Sequence, residues 1–99
     1  MTVYVIGQAR VDDPEGFKKY SAKVKGLAEK FGGKLIAAGG PGEKTIIEGD
    51  QFKDGKVVVF KYPSLEAYQN YVNSPEYQEG KSLRINSGTL DVCVVSSVE

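Results

Sequence analysis

The order of apolar segments in this chain repeats, and that repetition restricts the fold more than any single motif. Residues 57 to 98 read as a strand, a helix, a break and a last strand. The strand is Val57-Val58-Val59-Phe60-Lys61-Tyr62, the helix opens at Pro63-Ser64, the break falls at Ser74-Pro75, and the last strand runs through Asp91-Val92-Cys93-Val94-Val95. The first half follows the same order: a strand, a helix start at an Asp-Pro pair, a helix and a strand. With 99 residues there is room for one core. Both β-α-β passes must then build the same sheet, in one domain spanning residues 1–99.

The local signals fill in that outline. Strand one spans about Thr2 to Val11. Val3, Val5, Gly7, Ala9 and Val11 share one face, and Tyr4, Ile6, Gln8 and Arg10 share the other. Asp12-Asp13-Pro14-Glu15 starts helix one: an aspartate to cap the free N–H groups, a proline suited to the first position, and an acid near the positive helix end. Phe17, Tyr20, Val24, Leu27, Ala28 and Phe31 recur at helical spacing, so the helix is expected to continue to a stop at Gly32-Gly33. Strand two is Lys34 to Ala38. After Gly39-Gly40-Pro41-Gly42, a short third strand is expected over Thr45-Ile46-Ile47-Glu48-Gly49. Asp54-Gly55 marks a turn before strand four at Val57. Ser64 caps helix two, whose buried side takes Leu65, Tyr68, Tyr71 and Val72. Pro75 opens a further short helix, Asn86-Ser87-Gly88 ends it, and strand five runs from Thr89 to Val95. The sum is an α+β fold: a ferredoxin-like βαββαβ sandwich, an antiparallel sheet with helices on one face.

Such a layout raises a burial problem. Helices cover one face of the sheet, and the other face must be polar or covered by something else. Val57 and Val59 oppose Val58, Phe60 and Tyr62; Leu90, Val92 and Val94 oppose Cys93 and Val95; Leu35 and Ala37 oppose Ile36 and Ala38. Both faces are apolar along most strands. An open apolar sheet of several hundred Å² is uncommon on a monomer. The simplest cover is the same sheet of a second subunit across a two-fold axis, which predicts a homodimer. The alternative is that helix two and the segment after Pro75 cover enough.

Composition narrows the function by exclusion. Thirteen basic residues balance thirteen acidic ones, without a basic run, so no nucleic-acid partner is expected. Apolar runs of four to five residues are far too short to span a membrane. Met1-Thr2-Val3-Tyr4 enters a strand with no basic region or cleavage site, so no signal peptide is expected. The lone Cys93 makes no internal disulfide, and a cytoplasmic location is the default expectation. The chain has no histidine. That removes the usual general base near neutral pH, the Ser-His and Cys-His nucleophile pairs, and ordinary transition-metal sites. No cofactor and no metal are expected.

Four residues stand out as candidates for ligand binding. Arg84 has the fork to hold a carboxylate or enolate, and Tyr20 and Tyr77 have hydroxyls to donate to developing oxyanion charge. The plainer reading is a surface ion pair for Arg84 and core tyrosines with wet tips. Glu48, at the end of a short strand, becomes a base if an apolar cavity raises its pKa, and otherwise faces solvent near Lys44 or Lys34. Gly39-Gly40-Pro41-Gly42 lacks the Gly-Lys-Ser/Thr ending and the following helix of a phosphate loop, and reads as a hairpin loop. Gln8 and Arg10 read as interfacial, and Cys93 as a small buried hydrophobe.

One set of residues carries a family resemblance. In order these are Tyr4-Val5-Ile6, Asp13-Pro14-Glu15-Gly16-Phe17 with Tyr20, Gly32-Gly33-Lys34, Gly39-Gly40, Ile47-Glu48-Gly49-Asp50, Val58-Val59-Phe60, Pro63-Ser64 with Ala67, and Ser74-Pro75-Glu76-Tyr77-Gln78 with Arg84. The pattern resembles the bacterial family called domain of unknown function 1330 and covers nearly the whole chain. The resemblance implies a dimeric α+β barrel, with the sheet of one protomer packed on its twin. Its wider superfamily includes cofactor-free monooxygenases, muconolactone isomerases, sugar mutarotases and plain binding proteins. Many members look to carry an arginine where this chain has Ala38, so an anion-binding role there is not carried over. Several superfamily enzymes use a histidine that this chain lacks.

Three functions fit these residues. The first is a homodimer holding a small, partly apolar organic metabolite in a cavity between sheet and helices, or between sheets. The second is a cofactor-independent enzyme, of isomerase or monooxygenase type, acting on an activated carbon acid. There Tyr77 and Arg84 stabilise an enolate, and Glu48 or a tyrosine moves the proton. The third is a structural or regulatory dimer without a ligand.

Overall fold

The computed structural model describes Met1–Glu99. Four strands, β1 (Val3–Val11), β2 (Lys34–Gly39), β3 (Lys56–Tyr62) and β4 (Gly88–Ser96), form one sheet in the order β2-β3-β1-β4. Every neighbouring pair is antiparallel. Helices α1 (Pro14–Val24) and α2 (Leu27–Lys30) follow β1, and α3 (Leu65–Val72) and α4 (Pro75–Leu83) follow β3. This is the βαββαβ order of a ferredoxin-like sandwich. The envelope measures 34 × 31 × 16 Å, the thickness of one sheet plus one helix layer.

The alternation in β1 sets the two faces. Val3, Val5 and Gly7 are buried under the helices, while Tyr4, Ile6 and Gln8 are only partly covered on the open side. Val3, Val5 and Tyr62 form the centre of the core, with Ala28, Phe60, Tyr68 and Val94 packed around it. On the open face the register lines up Ala37, Val59, Ile6 and Cys93 across all four strands.

Side-chain caps start three helices. Asp13 Oδ1 accepts from the Glu15 amide at 3.1 Å, Ser64 Oγ from the Ala67 amide at 3.1 Å, and Ser74 Oγ from the Tyr77 amide at 3.2 Å. The expected single helix from Pro14 to Phe31 is instead broken. Gly26 takes φ +75° and the chain restarts as α2. The expected stop holds: Gly32, at φ +86°, donates to Glu29 O at 3.1 Å, and Gly33 donates to Ala28 O at 2.9 Å. This double bond pattern satisfies the last carbonyls of α2.

Three other expectations are corrected. The third strand over Thr45–Gly49 does not form; the whole stretch from Gly40 to Gly55 is a loop. The strand it was expected to pair with, β3, is already bonded on both sides by β2 and β1, and Ile47 is 89% exposed. The sheet therefore has four strands, not five. In β2 the register shifts between Leu35 and Ala37, which places Leu35 opposite Phe60 and Ala37 opposite Val59. This bulge at Ile36 moves Leu35 and Ala37 to opposite faces, contrary to simple alternation. Cys93 is exposed, because it points away from the helix layer.

Candidate functional site

Between sheet and helices lies a cavity of about 540 Å³, on the scale of a small organic ligand. Val5, Gly7, Val58, Phe60 and Leu90 form its sheet side, and Phe17 and Val24 of α1 line the helix side. Lys18, Ser21 and Lys56 add polar side chains to its lining, beside a group of tyrosines. Tyr20, Tyr68, Tyr71 and Tyr77 all border it, four of the six tyrosines in the chain.

These tyrosines form one connected cluster. Tyr71 and Tyr77 have ring centres 4.9 Å apart, Tyr62 and Tyr68 5.2 Å, Tyr68 and Tyr71 6.0 Å, and Tyr20 and Tyr77 6.4 Å. The local chain explains the grouping. Tyr68 and Tyr71 lie three residues apart on α3 and share a face. Ser74 ties that helix to the next, since its hydroxyl donates to Tyr71 O at 2.7 Å while capping the Tyr77 amide. Gly80 lets α1 and α4 close together: a Cβ there would stand 2.7 Å from Val24 Cγ1 and 3.4 Å from Tyr20 Cδ1. Lys23 and Glu79 add an ion pair across the same two helices at 2.8 Å.

Arg84 completes the arrangement. Its Nη2 donates to the Tyr77 hydroxyl at 3.3 Å, and its Cζ lies 5.0 Å from the centre of the Tyr20 ring. The guanidinium thus contacts two of the tyrosines that face the cavity, while Arg84 itself does not line it. Arg84 Nε is buried without a protein partner, a donor still open to an acceptor. The surface ion pair considered for Arg84 does not form; the ion pairs of the chain are Arg10–Asp12 and Lys23–Glu79.

The electrostatics keep the phenols protonated. Burial pushes Tyr68 up to about 12, with the neighbouring Tyr77 and Tyr20 adding to the rise. Burial also raises Tyr62 and Tyr71. For Tyr20 burial again dominates and Tyr77 reinforces it, while the Arg84 cation pulls the other way. At neutral pH the cluster therefore presents hydroxyl donors, not phenolates.

Of the four residues singled out in the sequence, the fold gathers Tyr20, Tyr77 and Arg84. Glu48 does not join them. It lies in the Gly40–Gly55 loop beside a separate hollow of about 590 Å³ on the open face of the sheet, floored by Ile6, Ala37, Val57 and Val59. Tyr68 and Tyr71 were expected only as packing residues, yet they border the cavity. The signal was present in their spacing from Tyr77, but their convergence with Tyr20 depends on how α4 docks on α1. Gln8 is also more than interfacial. Its Nε2 donates to Gln51 O at 2.6 Å and to Asp54 O at 3.2 Å, which pins the loop to β1.

The comparisons with known proteins agree with this architecture. The family model of the domain of unknown function DUF1330 matches residues 2–98. The chain belongs to this family. Among solved structures, the DUF1330 chain is similar to a protein of unknown function from Rhodopseudomonas palustris, with TM-score 0.75 and 18% identity over 99% of this chain and 83% of the other. A dimeric ferredoxin-like protein of unknown function from Jannaschia sp. CCS1 gives TM-score 0.71 and 14% identity over 98% and 100% of the two chains. SnoaB, a cofactor-independent oxygenase from Streptomyces nogalater, gives 0.66 and 11% over 99% and 94%. At these identities the likeness speaks for the fold. No curated protein matches the chain. No helix is long and apolar enough to cross a membrane.

Proposed function

We propose that this DUF1330 chain is a homodimeric binding protein that holds a small, partly apolar organic metabolite between its sheet and its helices. The observation that carries this reading is the cavity itself, about 540 Å³ with apolar walls and four tyrosines on its border. Apolar walls supply burial energy, and a few convergent donors fix orientation. The ligand that matches is a flat or compact molecule with a carbonyl or carboxylate oxygen facing the hydroxyls. Arg84 polarises Tyr77 from behind. The dimer rests on the open face, whose Ile6, Val57 and Val59 remain partly uncovered and whose Val95 is 47% exposed. Dimeric relatives of the same fold support it.

Native mass spectrometry of the purified protein, followed by denaturing analysis of what it releases, tests both parts. A dimer carrying extra mass supports the reading and identifies a chemical class. An empty dimer that leaves its tyrosine fluorescence unchanged with aromatic and keto acids points to the ligand-free structural role. A monomer removes the dimer.

A cofactor-independent enzyme is the second reading. The contact of Arg84 with both Tyr77 and Tyr20 favours it, because a cation beside a phenol strengthens the hydrogen bond that the phenol gives to enolate charge. The fold shared with SnoaB supports it. In this scheme Tyr77 donates to the enolate oxygen, and, since the neighbouring phenols are held protonated, the carbon proton passes to solvent water. Solvent deuterium entering an activated carbon acid, lost in Tyr77→Phe, is the expected sign.

A further inference from the structure

The cavity between sheet and helices has a wet end and a dry end. Along β1 its floor passes from Val5 and Gly7, both buried, to the half-buried Ala9 and then to Val11, which is 44% exposed. The mouth therefore lies where β1 ends and α1 begins. The register puts Lys56 opposite Ala9 at that mouth, and Phe60 opposite Val5 at the dry end. Lys18, one turn into α1, lines the same cavity. Tyr68 packs on the core of Val3, Val5 and Tyr62, and Tyr71 and Tyr77 follow it ring against ring. Four residues of strand separate Ala9 from Val5, about 13 Å.

Lys18 and Lys56 are the only charged residues in the lining. Both are exposed, and neither forms an ion pair. The charges around them lie elsewhere. Arg10 and Asp12 pair with each other. Lys44 donates to Gly55 O and lines, with Glu43 and Glu48, the hollow on the open face. Asp54 and Asp91 line a polar pocket on that open face, beside Gln8 and Arg10. Glu15, three residues before Lys18, and Lys19 lie outside the lining. No carboxylate lines the cavity, and Arg84 adds a third cation behind Tyr77.

We propose that the cavity takes an elongated organic acid, with its carboxylate against Lys18 and Lys56 at the mouth, its apolar body over Gly7, and a neutral oxygen at the tyrosine end. The proposal rests on the binding-protein reading above and names the class of ligand. A carboxylate at the dry end would lose its water, whereas at the mouth it stays hydrated beside two unpaired ammonium groups. A carbonyl oxygen costs less to bury, and the phenols donate to it. Gly7 keeps the passage between the ends open: a Cβ there would stand 3.2 Å from Val58 Cγ2 and 3.8 Å from Leu90 Cδ1.

Isothermal titration calorimetry at low salt with three matched compounds tests this. 9-Oxodecanoate carries both groups, 2-decanone lacks the carboxylate, and decanoate lacks the ketone. We expect 9-oxodecanoate to bind about tenfold more tightly than 2-decanone, and decanoate to bind more weakly than 9-oxodecanoate. The advantage of the acid over the ketone should vanish in Lys18→Gln/Lys56→Gln and persist in Lys18→Arg/Lys56→Arg. It should also persist in Lys19→Gln/Lys53→Gln, which removes as much charge outside the lining. Circular dichroism checks that each variant folds. Equal binding of acid and ketone to the wild type, or an advantage that survives in Lys18→Gln/Lys56→Gln, overturns the proposal and leaves the cavity reading standing. An equal loss in Lys19→Gln/Lys53→Gln assigns the effect to net charge and overturns it too. Decanoate that matches 9-oxodecanoate overturns the neutral oxygen at the tyrosine end. If none of the three compounds binds, the organic-ligand reading falls and the proposal with it.

Discussion

Arg84 donates from Nη2 to the hydroxyl oxygen of Tyr77 at 3.3 Å, one residue past the end of α4 and seven residues along the chain. That single contact joins the helix terminus to the cavity border. It also distinguishes two roles for the arginine, as a packing group and as a group that tunes a hydroxyl.

Replacing Tyr77 by Phe removes the hydrogen bond while keeping the ring. We expect a loss of about 1 kcal/mol of stability by denaturant unfolding, typical for one such bond. Replacing Arg84 by Ala removes the cation over Tyr20 as well, and should cost about 1–3 kcal/mol. If a ligand is recovered, Arg84→Ala should weaken its binding more than it lowers the melting temperature. An affinity that stays unchanged would place the arginine outside the site.

Alkaline pH should unfold the protein through its tyrosines. The folded-state values of Tyr20, Tyr62, Tyr68 and Tyr71 lie above the ordinary value of 10.0. A raised value means that the unfolded chain gives up its proton first. The stabilisation is therefore complete below about pH 10 and is lost as pH rises towards about 12, the value for Tyr68. Thermal melts between pH 7 and 12, read beside tyrosinate absorbance, check this. Melting temperatures that hold steady while all six tyrosines ionise would contradict it.

Gln8→Ala should free the long loop without unfolding the sheet. Three hydrogen bonds are lost: two that the Gln8 amide donates to Gln51 O and Asp54 O, and a long one that its Oε1 accepts from Gln51 Nε2. The expected cost is about 1–2 kcal/mol at most, with much faster tryptic cleavage at Lys44 or Lys53. Cleavage at the wild-type rate would show that the loop is held by other contacts.

Gly33→Ala tests the densest point of the core. A Cβ there would overlap the ring of Tyr62, which is 2% exposed. Tyr62 is boxed in by Phe60, Tyr68 and Tyr71 and has no room to retreat. We expect a loss of about 1–3 kcal/mol or more, seen as a lower urea midpoint.

Much of this fold was legible from local chemistry. Alternation from Val3 to Val11 identified the buried face, and Asp13, Ser64 and Ser74 each cap the helix that follows them, because capping needs only neighbours in sequence. The misreadings share a cause. Thr45-Ile46-Ile47 has the composition of a strand, but a strand needs an edge, and β3 already pairs on both sides. The break at Gly26 and the bulge at Ile36 likewise answer to tertiary packing. At the site, Tyr77 and Arg84 were readable as a pair from their spacing, two turns apart. Bringing Tyr20 to them required α4 to dock on α1 through Gly80, and separating Glu48 required a loop path that no periodicity encodes.

The strand order has a consequence for how the chain acquires its shape as it is made. β1 and β2 are not neighbours; β3 lies between them, and β4 pairs only with β1. Until β3 emerges, beginning at Lys56, the nascent polypeptide has no two strands that belong side by side. The first half leaving the ribosome thus carries two apolar strands without a hydrogen-bonding partner. Helix formation there is local and early, whereas the sheet waits for contacts distant in sequence. The interval between the arrival of β2 and that of β3 is the length of the Gly40–Gly55 loop, so shortening that loop should narrow the period in which the nascent chain is open to aggregation.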